Sequence, residues 1–348
     1  MATTVERSNI TAQDLERAIK SKDNRWAILA ALRFVLALIV MFPHTGSFAN
    51  LPKPLHYIDS FSPITAVLVF LVISGYSIAH SINTERSGFY SRRLGRIYPL
   101  YFVCMVLTLI PFMVWGPSIT FEKWPALSMP NIKEVIGNFA LLEGFVVRKI
   151  SAPTWSLTVE VLFYALAPIL VLLRTRWLLL FVGISAIMFA DAPTLYFIHK
   201  PMHGNAALMT GWAWVLGFLY YRHKDQPWAK NLLLVVGAIV IIQNRPEGRL
   251  AELTWLCATL LIIHAPEIRN LPARVSRTFV YLGELSYPLY ILHFPVLVLL
   301  GANKAHHPWW VYVVTVFIVT IAAYHLIDAP YRKSVKRRAS INWRAQAA

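Results

Sequence analysis

Arg33, His44, Glu160 and His293 are ionisable side chains in stretches of this chain that are otherwise almost wholly apolar. Such placement is costly and marks function by default. Arg33 and His44 are eleven residues apart. On an α-helix that is about 20° more than three turns and about 16 Å along the axis, so both project from one face. Pro43 frees the carbonyl of Ile39 and is positioned to kink or end the helix beside the histidine. By helix rise, Glu160 falls about 7–8 Å below the outer end of its segment and His293 about 22 Å up its own, a depth close to that of His44. Two imidazoles and a carboxylate at one depth suit proton transfer, since a near-neutral imidazole can take the proton of an attacking hydroxyl. The plainer alternatives are a structural hydrogen-bonded network, with Arg33 snorkelling to the headgroups and His44 an interfacial residue.

A second group lies toward the opposite surface. In Ser91-Arg92-Arg93-Leu94-Gly95-Arg96, Arg93 and Arg96 are three apart and share a helical face. They precede an apolar run, where a helix N-terminus also favours an anion. By themselves they are equally well explained as an anchor against acidic lipid.

The elements that must position these groups are read from hydropathy. The chain has 348 residues, 57% hydrophobic and 14% charged, against roughly 25% charged in soluble domains. Apolar segments run Trp26–His44, Ser62–Ile82, Ile97–Trp115, Trp155–Leu173, Trp177–Ala190, Ala206–Tyr221, Asn231–Gln243, Leu250–His264, Thr278–Leu300 and Trp309–Ile327. The fifth, seventh and eighth are shorter than the about 20 residues that cross a bilayer. The expected fold is an all-α polytopic membrane protein of about ten transmembrane helices, with N- and C-termini cytoplasmic. Most of the 33 basic residues then fall in the inner loops and tail, as the positive-inside rule asks. Counting Val135–Val147 as a further span spreads them almost evenly, so Gly116–Pro153 is read as one outer segment with a short helix on or in the protein. A net charge of +16 distributed in this way excludes a continuous nucleic-acid face. Cys104 and Cys257 lie inside apolar runs and are read as packing residues, with no metal site. The domain reading is a cytoplasmic segment 1–25 without signal-peptide features, a transmembrane domain 26–331 and a basic cytoplasmic tail 332–348. No internal repeat of the transporter kind is visible.

Taken together, the motifs resemble those of the acyltransferase 3 family, bacterial integral-membrane enzymes that acylate sugars and related hydroxyl acceptors. Arg33 through Pro43-His44 is similar to its first-helix Arg…His motif. Phe70-Leu71-Val72-Ile73-Ser74-Gly75-Tyr76 is similar to its aromatic Ser-Gly motif, and Arg93-Leu94-Gly95-Arg96 to its Arg-x-x-Arg. Thr154-Trp155-Ser156-Leu157 with Glu160, Phe163-Tyr164 and Pro168 resembles its Trp-Ser-Leu…Glu signature. Gly283-Glu284-Leu285-Ser286-Tyr287 with Tyr290 and His293-Phe294-Pro295 resembles its Ser-Tyr…His block. The chain departs from the pattern at Leu68 and Val69, where many members carry an acidic residue, and has Asp328-Ala329-Pro330 where Glu is common. With no appended hydrolase-like outer domain after the last segment, a stand-alone member is expected.

The resemblance implies an O-acyltransferase of the inner (cytoplasmic) membrane. It would use cytoplasmic acyl-CoA, usually acetyl-CoA, as co-substrate and a carbohydrate or lipid-linked sugar as acceptor. On that reading His44 is the general base with Glu160 its orienter or supporting acid. Arg33, Arg93 and Arg96 bind the donor, and Trp155, Ser286, Tyr287 and His293 line the substrate pocket. The rival from another class is a secondary transporter of a sugar or lipid-linked intermediate.

Overall fold

The structure is a computed structural model, and it describes residues 24–192, 204–246, 248, 250–268, 270–303 and 307–335. The segment before Asn24 and the tail after Val335 lie outside the described residues, and with them both expected cytoplasmic ends.

Each of the ten apolar segments forms a helix: α1 Arg25–Gly46, α2 Pro63–Thr84 and α3 Phe89–Trp115, then, after an outer segment, α5 Thr154–Leu172, α6 Thr175–Asp191, α7 Asn205–Arg222, α8 Pro227–Asn244, α9 Ala251–His264, α10 Ala273–Ala302 and α11 Trp309–Ala323. The intervening α4, Ile132–Phe139, is the short helix expected between residues 116 and 153. Among the described residues seven helices are long and apolar enough to cross a membrane, and α6, α7 and α9 are not among them. The chain is thus an all-α, multi-pass membrane protein. The seventh segment proves longer than its apolar stretch, at 18 residues in α8. The case of α7 has a packing reason. It is buried on nearly every side, from Ala206 through Tyr220, so Trp, Gly and Tyr can replace the aliphatic residues that a lipid-facing helix needs.

Two helix pairs form the centre, α10 against α1 and α7 against α2. Both rest on glycine. A Cβ on Gly75 would lie 1.9 Å from the Trp214 carbonyl oxygen, and one on Gly217 would lie 2.0 Å from that of Val72. The backbones of α2 and α7 therefore touch, as small residues permit in membranes. α1 is not ended by Pro43. It continues to Gly46, which holds His44 on the helix. α3 begins roughly two turns before its apolar segment, so Arg93 and Arg96 are helical. α11 passes through a π-helical turn, Tyr324–Asp328. There Arg332 pairs with Asp328 at 2.5 Å and with Glu284 of α10, clamping the two helices together.

The segment between α3 and α5 opens with a small antiparallel hairpin, β1 Ser118–Ile119 with β2 Leu127–Ser128. α4 follows, started by a capping box in which Asn131 Oδ1 accepts from the Glu134 amide and Glu134 accepts from that of Asn131. At eight residues it spans about 12 Å and cannot cross, as expected. The Tyr98 and Tyr101 hydroxyls of α3 donate to the carbonyls of Phe139 and Asn138, tying α4 to the bundle.

Candidate active site

A cavity with about 820 Å³ of open space lies between α1, α2, α3, α5 and α10. Six residues singled out from sequence line it: Arg33, Arg93, Arg96, Glu160, Ser286 and Tyr287. The arginines define its chemistry. The Nε atoms of Arg33 and Arg93 are buried with no hydrogen-bond partner, and among the described residues none of the three arginines has an ion pair. Arg93 instead lies over the rings of Phe89 and Tyr164, its Cζ 5.7 and 5.9 Å from their centroids. Buried cationic groups left unpaired are expensive, so this arrangement suits an anionic ligand.

Glu160 faces the same cavity, but its partners differ from those expected. Its Oε1 accepts from Ser74 Oγ at 2.6 Å and from the Tyr164 hydroxyl, and Ser74 in turn accepts from Trp214 Nε1 at 3.2 Å. The Ser-Gly motif of α2 thereby has a physical role: Ser74 holds the carboxylate, and Gly75 admits the α7 backbone that carries Trp214. At Leu68 and Val69 the chain is fully buried apolar packing.

His44 pairs with His293, not with Glu160. His44 Nδ1 and His293 Nε2 are 3.0 Å apart, and the rings stack with centroids 5.1 Å apart. The tautomers follow from the third partner. His293 Nδ1 lies 3.1 Å from the Leu289 carbonyl oxygen, which can only accept, so in the neutral ring Nδ1 carries the proton and Nε2 is bare. His44 must then donate through Nδ1, which leaves its Nε2 with a free lone pair. His293 is fully buried, whereas His44 is half-buried beneath Trp124 and Phe294, whose rings meet it edge-on at 5.7 and 5.6 Å. Tyr290 links the two sites. It lines the cavity, its ring stands 6.2 Å from His293, and its hydroxyl lies 2.6 Å from Ser156 Oγ. Trp155 is not in the cavity; it lines a small separate cleft with Glu143 and Thr158.

Sequence reasoning also passed over a buried carboxyl, Glu143, in the segment between α3 and α5. Glu143 is completely buried and accepts from Thr154 Oγ1 at 2.7 Å and Thr158 Oγ1 at 3.1 Å. Burial pushes its carboxyl up to about 7, against the pull of those hydroxyls and of Lys149. Burial likewise lowers the Lys149 ammonium to about 8, with Glu143 opposing. The only signal in the sequence is a lone Glu within the apolar run Val135–Val147.

A helical membrane bundle carrying an arginine-lined cavity beside a histidine pair defines a class that sequence comparison resolves further. The acyltransferase domain of the acyltransferase 3 family matches residues 26–327, and the chain belongs to that family. It is similar to a putative acetyltransferase, ORF330, of Acidianus two-tailed virus, at 24% identity over 78% of this chain and 84% of that protein. Nodulation protein 10 of Rhizobium leguminosarum bv. viciae is 26% identical over 89% and 95% of the two chains. The putative membrane-bound transacylase BcsY of Komagataeibacter xylinus is 27% identical over 82% and 76%. No solved structure matches the chain.

Proposed function

We infer that the chain moves an acyl group, usually acetyl, from cytoplasmic acyl-CoA to a hydroxyl of a carbohydrate or lipid-linked sugar, working in the inner membrane with both termini inside. The observation that carries this reading is the three arginines, without ion pairs among the described residues, in a cavity that Tyr290 also lines, beside the His44–His293 pair. Phosphates of CoA match guanidinium groups, which bind them through paired, charge-assisted hydrogen bonds. The pantetheine arm then extends along the cavity and brings the thioester toward His44.

In the transfer step the acceptor oxygen attacks the thioester carbonyl while His44 Nε2 removes the hydroxyl proton. The tetrahedral intermediate collapses with cleavage of the C–S bond, and the departing CoA sulfur takes the proton back from His44. His293 fixes the tautomer of His44 and shares the charge it gains, through the 3.0 Å contact. Glu160, held by Ser74 and Tyr164, offsets part of the positive charge of the arginine cavity. The acetyltransferase and transacylase names of the relatives support acyl transfer; the CoA donor and saccharide acceptor rest on the cavity chemistry and the motif resemblance.

The test incubates membranes containing the chain with labelled acetyl-CoA and envelope glycans or lipid-linked sugars. Label bound as base-labile ester to the saccharide is the expected result. Saccharide crossing the membrane with no label incorporated would favour the transporter reading instead.

A further inference from the structure

A second cleft, with about 1540 Å³ of open space, lies beyond the carboxyl end of α1, walled by the loop that follows α1, the hairpin loop between β1 and β2, Gly301 of α10 and the start of α11. It is distinct from the arginine cavity and shares no lining residue with it. Its walls alternate aromatic rings (Phe48, Phe121, Trp309 and Tyr312) with polar and charged groups, Asn50, Glu122, Lys123 and His307. Lys123 Nζ donates to Asn50 Oδ1 at 2.6 Å, which ties the hairpin loop to the end of α1. Gly301 keeps the space for the rings, because a Cβ there would stand 2.8 Å from Phe48 and 3.4 Å from Phe121.

The cleft also adjoins the reactive imidazole. Phe48 stacks on Trp124 with centroids 5.8 Å apart, and Trp124 meets His44 edge-on at 5.7 Å. One layer of aromatic rings therefore separates the cleft from the histidine pair, on the side away from the arginines. A buried acyl chain would require a continuous apolar groove, and a small ion a cluster of like charges, whereas Glu122 and Lys123 oppose each other here. Rings interleaved with donors and acceptors fit a ligand with apolar C–H faces and hydroxyl edges.

We propose that this cleft is the acceptor site, binding a saccharide and delivering one hydroxyl past Phe48 and Trp124 to His44 Nε2. The proposal rests on the reading of the chain as an acyltransferase, and deepens it by placing donor and acceptor in separate cavities that meet at one imidazole.

Two measurements on the full chain test it, with a water-soluble glycan extract of the source cells as probe. In the first, Trp309→Ala and Phe121→Ala each raise the half-saturating amount of glycan about five- to tenfold. The half-saturating acetyl-CoA and the saturating rate stay unchanged, and Trp309→Phe recovers most of the loss. Unchanged glycan dependence in both alanine variants, or a loss confined to the saturating rate, overturns the proposal. In the second, Thr120→Cys in a Cys104→Ser, Cys257→Ser background is labelled with a maleimide in the absence of any acyl-CoA. The extract is expected to slow labelling at least about threefold. Protection without transfer by the unmodified chain upholds the saccharide cleft and overturns the transferase reading. Transfer without protection upholds the transferase reading and overturns the cleft.

Discussion

On the proposed reading His44 moves a proton and the arginines hold charge, so their substitutions should fail differently. Arg93→Ala or Arg96→Ala should weaken acetyl-CoA use about ten- to a hundredfold, the scale of one charge-assisted contact of about 1.5–3 kcal/mol. Lysine at either position should recover part of it, because charge survives but the planar fork does not. Donor titrations with well-inserted variants check this, and unchanged donor dependence would leave both arginines as lipid anchors. Glu143 makes a claim about stability. Burial raises its carboxyl from the ordinary value to about 7, so the folded state holds a proton that the unfolded chain has lost. Stability from this group is complete below the ordinary carboxylate range and declines as pH rises toward 7. Glu143→Gln keeps an acceptor for Thr154 and Thr158 and removes the titration. Its melting temperature in detergent should decline less between pH 5 and 7 than that of the parent. Equal slopes would mean that Glu143 is ionised throughout.

The helices make these residues meet, and here the chain could be read only in part. Hydropathy located every long helix, since an apolar run in a bilayer has no other way to satisfy its backbone. The shared face of Arg33 and His44 followed from helical period alone. The partner of His44 did not. Depth estimates put Glu160 and His293 equally close, and rotation of α5 about its axis decides between them. That rotation is set by packing of α5 against its neighbours, which turns Glu160 toward Ser74. Hydropathy likewise carries no sign of Gly75 and Gly217 as a backbone contact, because the contact lies between α2 and α7, far apart in sequence. The contact predicts its own sensitivity. Gly217→Leu places a side chain where even a Cβ would meet the Val72 carbonyl at 2.0 Å. It should reduce recovery of monodisperse protein severely, while Gly183→Leu, where a Cβ meets nothing within 4 Å, should be tolerated. Comparable recovery of the two would show that α2 and α7 are not in backbone contact.

For the whole molecule, the proposed function is a path across the membrane, with donor phosphates at the arginines, thioester beside Tyr290 and acceptor beyond Phe48 and Trp124. Its sidedness is testable. With Cys104 and Cys257 replaced, cysteines at Ser87 and Ser334 should be shielded from an impermeant thiol reagent in intact cells, while one at Ser128 should react. Labelling at Ser334 from outside would invert the proposed path. The central claim is that His44 is the base, and His44→Gln tests it most directly, since glutamine keeps hydrogen-bonding capacity but takes no proton at neutral pH. Transfer from labelled acetyl-CoA should fall at least ~10²-fold while acetyl-CoA binding persists, the phosphates being held about 16 Å away along α1. Near-normal turnover by the glutamine variant would contradict the account and leave His44 a structural partner of His293.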